Sequence, residues 1–181
     1  GAPIHHPSIG VQTMRFLPSL LLLVAFNLHA AKKNPQPIIG KPFAPLEAAK
    51  TMRVPKGFNV TLFAAEPGIK QPIGFCIDDR GRLWVAEANN YPVKKAGKND
   101  RIIILEDTDG DGTHDKRIVF YDKLEYVSGI EVGFGGVWVM SIPNFYFIPD
   151  KDYDGVPDGE PVVLLDGFGT HANSHTIANG F

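Results

Sequence analysis

The chain has little cysteine, no excess of either charge and no long apolar run, and each shortage excludes a class of protein. A single cysteine, Cys76, leaves these 181 residues without an internal disulfide framework, a CxxC metal knuckle or a CxxCH haem attachment. Eighteen Lys+Arg against 20 Asp+Glu give a formal net charge of −2. That balance lacks the basic excess a nucleic-acid partner requires. The hydrophobic share of 44% against 21% charged residues excludes a disordered polyelectrolyte. Glycine (19) and proline (15) are plentiful instead, which points to a turn-rich fold of short strands rather than a helix bundle.

The segment MRFLPSLLLLVAFNLHAAKKN, from Met14 onward, differs from the rest. Arg15 opens it, and the apolar stretch Phe16–Phe26 is broken by Pro18 and Ser19. Small residues Ala30 and Ala31 precede Lys32-Lys33. The pattern reads as a secretory signal peptide over 14–31, since the apolar stretch is shorter than the about 20 residues a bilayer span needs. The alternative is a buried core helix. Residues 1–13, with His5 and His6, read as upstream or non-native sequence. Residues 32–53 read as a Pro-rich linker with one or two helical turns at 46–52, and 58–65 (FNVTLFAA) alternates as a strand does. The last residues, Ile177–Phe181, read as the start of a new strand, so the expectation is a fragment of a longer protein.

Residues 54–181 carry an internal repeat. The first unit runs GFCID (74–78), a turn, LWVAEA (83–88), a loop, RIIILED (101–107), an Asp/Gly loop and KRIVFYD (116–122). The second runs GIEVGF (129–134), a Gly-Gly turn, VWVMS (137–141), a short turn, FYFIPD (145–150), an Asp/Gly loop and EPVVLLD (160–166). Trp84 matches Trp138, Asp107 matches Asp150, and Gly74, Gly129 and Gly180 each precede a large apolar residue. Four short strands at a period of about 50 residues are the signature of a β-propeller. The near-continuous apolar runs RIIIL and VVLL predict strands covered on both faces. Two units are fewer than the about three a repeat array needs, so the reading is all-β: two blades and the start of a third. An unrelated antiparallel sandwich is the alternative.

The Asp/Gly loops carry the strongest chemical signal. Asp107, Asp109, Asp111, Gly112, Thr113 and Asp115 lie in a DxDxDGxxD motif, which Asp150, Asp152, Asp154, Gly155, Val156 and Asp158 repeat. Carboxylates at positions 1, 3 and 5, a glycine at 6, a backbone carbonyl at 7 and an acid at 9 suit Ca²⁺, which takes 6–8 oxygens at about 2.3–2.6 Å. Position 12, a bidentate Glu in an EF-hand, is Ile118 in one loop and Pro161 in the other, with Glu160 one place earlier. A strand rather than a helix follows each loop. The expectation is weak, structural Ca²⁺ binding at EF-hand-like loops on a β scaffold; the alternative is a tight polar turn.

A longer connection, DGFGTHANSHTIANGF (166–181), follows the second unit and carries His171 and His175. A neutral histidine at a propeller's channel mouth has a pKa suited to general-base work. Two histidines four apart lack a third ligand for zinc. Glu87, Asn89, Asn90 and Tyr91 follow a second strand and are candidates for the same mouth, whereas Trp84, Trp138 and Cys76 read as core.

VPKGFNVTLFAAEP (54–67), QPIGFCIDDRGRLWVAEANNYP (71–92), RIIILEDTDGDGTHDK (101–116) and SHTIANGF (174–181) together resemble bacterial proteins of the membrane-bound dehydrogenase type. The N-terminal propeller of these proteins is similar to the soluble glucose and sorbosone dehydrogenases. The resemblance implies a six-bladed propeller in a secreted or periplasmic protein. It also implies pyrroloquinoline quinone with Ca²⁺ at the central mouth, a sugar or alcohol substrate, and a cytochrome as electron acceptor, often a fused C-terminal domain. His175 is the nearest match by position to the family's proton-abstracting histidine. The function expected is therefore a quinone-dependent sugar dehydrogenase, without haem in this stretch, with no nucleic-acid partner and with no transmembrane span after leader cleavage. The rival is a non-catalytic, calcium-stabilised propeller that binds carbohydrate or a protein partner.

Overall fold

The computed structural model describes residues 40, 42–91 and 99–169. The expected leader (14–31), residues 1–13, linker residues 32–39 and 41, His171, His175 and Gly180 lie outside the described residues. A short helix, α1 (Pro45–Thr51), starts on a proline, and the Glu47 carboxylate accepts the Ala44 N–H at 3.3 Å. Among the described residues no helix is long and apolar enough to cross a membrane.

Eight strands form two antiparallel sheets, each with its strands in chain order. Sheet 1 comprises β1 (Pro72–Ile77), β2 (Leu83–Glu87), β3 (Asp100–Glu106) and β4 (Lys116–Leu124). Sheet 2 comprises β5 (Val127–Val132), β6 (Gly136–Ser141), β7 (Asn144–Pro149) and β8 (Val162–Leu165). The described residues are thus all-β apart from α1, and the repeat holds strand for strand. It extends to irregularities: the register slips between Pro72 and Gly74 in the first sheet and between Val127 and Gly129 in the second. Trp84 stands opposite Cys76 and Ile104, as Trp138 stands opposite Glu131 and Phe147.

Side chains alternate between the faces of a strand, and the two faces of each sheet do different things. One face of sheet 1 (Cys76, Trp84, Ala86, Ile102, Ile104 and Phe120) packs on one face of sheet 2, built from Ile130, Val137, Val139 and Ile148. The Trp84 ring meets Phe120 edge-on at 5.0 Å. The opposite face of sheet 1 (Val85, Ile103, Leu105) is covered by Phe63, Ala64 and Ile69 of the preceding segment. Ile102, Ile103, Ile104 and Leu105 consequently have no exposed surface, as the RIIIL run predicts.

Three sequence expectations are corrected. Residues 58–65 form no strand: the segment lies against sheet 1 as an irregular strap, and its Phe63 carbonyl accepts the His114 N–H at 3.1 Å. Val162–Leu165 are exposed, not covered on both faces, because β8 is the free edge of sheet 2. Trp138 is half-buried rather than core, since it projects from the face of sheet 2 turned away from sheet 1, among Phe134, Phe145 and Phe147.

Cys76 behaves as a core thiol: burial, with help from the Glu131 charge, pushes its pKa to about 12. The β1–β2 turn is fixed by Asp78. Its Oδ1 accepts the backbone N–H of Arg80 and Arg82 at 3.0 and 2.9 Å, and its Oδ2 accepts Arg82 Nε at 2.7 Å and Trp84 Nε1 at 2.9 Å. Burial alone would raise the Asp78 pKa, but the bonds from Trp84 and Arg82 outweigh it and hold the carboxyl below its ordinary value. A depressed carboxylate contributes stability that is present above its unfolded-state value, about 3.9, and is lost as pH falls through the lower folded-state value. Asp78→Ala should cost about 3 kcal/mol or more in denaturant unfolding, because it strands a buried guanidinium. Asp78→Asn should flatten the acid limb of stability against pH below about pH 4. An unchanged acid limb would remove Asp78 from this role.

Candidate metal centres

Both Asp/Gly loops connect the third and fourth strands of a sheet, so they lie at the same end of the two sheets. Gly112 and Gly155, at position 6, have φ of 90° and 85°, a left-handed conformation that glycine adopts without steric cost. Gly110 and Tyr153 share position 4, also with positive φ (78° and 56°). The Tyr153 hydroxyl accepts the Gly135 N–H at 2.7 Å, which anchors the second loop to its own sheet.

Two hydrogen bonds recur at matching positions of the loops. Asp111 Oδ1 accepts the Thr113 N–H at 2.8 Å, and Asp154 Oδ1 accepts the Val156 N–H at 2.7 Å. Asp115 accepts the Thr108 N–H at 3.1 Å, and Asp158 accepts the Lys151 N–H at 2.6 Å. Each loop gathers three carboxylate oxygens within 4.8 Å of one another: Asp107, Asp109 and Asp115 in the first, Asp150, Asp152 and Asp154 in the second. Oxygens sharing one Ca²⁺ at about 2.3–2.6 Å lie at most about 5 Å apart, so both triples have the span of a calcium site. Asp111 and Asp158, also expected as ligands, stand outside these triples. At position 7 the backbone N–H groups of Thr113 and Val156 donate to Asp111 and Asp154.

The first aspartate differs sharply between the loops. Asp107 accepts three backbone N–H groups, from Gly110, Asp111 and Gly112, at 2.8, 3.2 and 2.8 Å. The Gly112 bond is the largest of the effects that hold its carboxyl below the ordinary range. Asp150 has no exposed surface; its Oδ2 accepts the Gly155 N–H at 3.3 Å, and its Oδ1 has no hydrogen-bond partner. Burial, with the charges of Asp154 and Asp152, pushes its pKa up against the Gly155 bond. A buried carboxylate oxygen without a donor is costly, and a hard cation among these three aspartates would satisfy it. The donor set is all oxygen, as Ca²⁺ requires.

Sequence reasoning missed the residues that seat the loops. His114 donates from its backbone N–H and from Nδ1 to the Phe63 carbonyl, at 3.1 and 2.8 Å, which docks loop 107–115 on the strap. Arg80 and Arg82 donate to carbonyls of loop 150–158. Their presence in the turn that shares this end of sheet 1 with the Asp/Gly loops was the available signal.

The opposite end of the sheets carries the other candidates. Glu87 is structural: fully buried, it accepts the Lys70 N–H at 2.7 Å and pairs with Arg101 and Arg117. Asn89 reaches the Asn99 carbonyl at 3.1 Å, Tyr91 is partly exposed, and Asn90 is buried with Nδ2 unpartnered. Asp100, also buried, accepts the N–H of Asn90 at 2.7 Å and of Val127 at 2.9 Å, joining this loop to the start of sheet 2. β8 ends here too, with the Phe168 N–H donating to the Pro143 carbonyl at 3.1 Å.

Comparison with known proteins finds one match, to the family designated domain of unknown function DUF7133, over residues 44–181. No curated protein and no solved structure matches the chain. A match over most of its length, covering both sheets and both acidic loops, places the chain in the DUF7133 family.

Proposed function

We propose that the described residues are two blades of a calcium-stabilised propeller, and that the acidic loops serve cohesion rather than catalysis. The observation that carries this reading is Asp150: a carboxylate with no exposed surface, one oxygen unpartnered, gathered with Asp152 and Asp154. A bound Ca²⁺ would supply the positive charge that these oxygens lack. The chain's own part is to hold the oxygens together. The loop glycines permit the tight turn, backbone N–H groups fix Asp107, Asp111 and Asp154, and Tyr153 pins the second loop to β6 through the turn before it. Superposable sheets that stack through unlike faces support the propeller reading.

Calcium titration of the whole chain by calorimetry should show two binding events, with dissociation constants in the range of about 10⁻⁴–10⁻³ M expected for loops with an incomplete ligand set, and a rise in melting temperature. Asp150→Asn should remove one event and Asp107→Asn the other. Neither heat nor thermal stabilisation would sink the assignment.

The catalytic part of the reading rests on the resemblance to sugar dehydrogenases: a secreted or periplasmic sugar or alcohol dehydrogenase. His175 would take up the proton of the substrate hydroxyl at an imidazole nitrogen. Pyrroloquinoline quinone would supply the redox chemistry when bound. The whole protein with quinone, Ca²⁺ and a panel of aldoses should reduce a dye, and His175→Ala should abolish that reduction while leaving the calcium heats intact. Retained carbohydrate binding without dye reduction in the unaltered protein would favour a non-catalytic binding propeller instead.

A further inference from the structure

We propose that loop 150–158 is an interlock: Arg80 and Arg82 of sheet 1 position this loop of sheet 2 for its cation, so that cation uptake and docking of the two sheets form one linked equilibrium. The inference rests on the cation reading above and adds residues to it. Arg80 Nη1 donates to the Tyr153 carbonyl at 2.8 Å and Nη2 to the Asp152 carbonyl at 3.2 Å; Arg82 Nη2 donates to the Tyr153 carbonyl at 3.0 Å. Arg82 is itself held, by Asp78 at 2.7 Å and over the Trp84 ring at 5.4 Å. The acceptors are peptide carbonyls at the third and fourth loop positions, not carboxylates, so the guanidinium groups leave the carboxylate oxygens to the cation. A planar fork that engages two successive carbonyls fixes the peptide planes between them. Those planes carry the Asp152 and Asp154 side chains towards Asp150.

Packing reinforces the lock. A Cβ on Gly155 would lie 2.9 Å from Ile104 Cδ1 and 3.5 Å from Ile118 Cδ1, so the bare backbone of position 6 is what lets the loop seat on sheet 1. Loop 107–115 has no such contact with another sheet among the described residues; its partners are Leu62 and Phe63 of the strap. Two loops of matching sequence are therefore seated differently, and the first serves as an internal control for the second. Two effects of the guanidinium groups oppose each other. Their charge disfavours a nearby cation, an effect that solvent weakens. Their hydrogen bonds hold the loop in its gathered form, which reduces the ordering that binding requires. The bonding to carbonyls favours the second effect.

Calcium titration of the whole chain carrying Arg80→Gln tests this. The Arg80 side chain is exposed and its guanidinium hydrogen bonds go to loop 150–158, while its backbone N–H bond to Asp78 survives the substitution. The affinity of the second loop should fall by about 5-fold or more, the lower end of ordinary coupling between sites, with the first loop unchanged. Arg80→Lys, which keeps the charge without the fork, should not restore it. By reciprocity, saturating calcium should slow amide exchange of Trp84 and Val139 more in the unaltered chain than in Arg80→Gln. Second-loop affinity that is unchanged or tighter in Arg80→Gln would overturn the interlock and leave the cation sites standing. No calcium heat in the unaltered chain would overturn both.

Discussion

The contact between the tryptophan-bearing face of sheet 1 and the aliphatic face of sheet 2 is the constraint on which the rest depends. Trp84, Ile102, Ile104 and Phe120 on one side and Val137, Val139 and Ile148 on the other form a single dry cluster. Burial of this much apolar surface is the dominant favourable term in any such domain. It also sets everything at the sheet ends. Gly74 lies beside Ile130 and Gly129 at ordinary contact distance, and loop 150–158 comes within reach of Arg80 and Arg82 only because the faces are seated.

The two ends of the sheets divide the work. At one end lie the acidic loops and the β1–β2 turn, with hydrogen bonds that tie each loop to the element before it. At the other, Asp100 draws the Asn90 loop and the start of β5 together. Burial raises the Asp100 pKa against the bonds from Asn90, Val127 and Tyr126. Long connections leave from this second end, and connections are where binding groups concentrate on a rigid scaffold. The geometry of the acidic loops is compatible with an enzyme and with a binding module.

Much of this was legible in the sequence because the repeat is marked by residues with fixed mechanical roles. Gly74 and Gly129 mark equivalent bulges, Trp84 and Trp138 equivalent strand positions, and Asp107 and Asp150 the first aspartate of each loop. What was not legible depends on contacts far apart in the chain. Alternation in FNVTLFAA suggested a strand, but strand formation requires a partner edge, and the Leu62 and Phe63 carbonyls are taken by Thr113 and His114 instead. VVLL suggested double coverage, yet β8 is an edge. The two aspartates that open the loops read alike in sequence; the number of backbone N–H groups each receives, three against one, is a property of the folded loop. Arg80 and Arg82 lie some 70 residues from the carbonyls they hold, a separation no local pattern reports.

The stacking direction has a final consequence. Ile73, Phe75 and Ile77 are exposed on the strap side of β1, where Ile130 and Val132 occupy the equivalent, packed positions of β5. Phe134 is 94% exposed beside Trp138 on the far side of sheet 2. The described residues thus leave apolar side chains exposed on the outer face of each sheet. Unlike faces of this kind would be covered head to tail if further units of the same kind stacked on them. Exposed apolar surface of this kind favours self-association, so solubility would depend on concentration as much as on temperature.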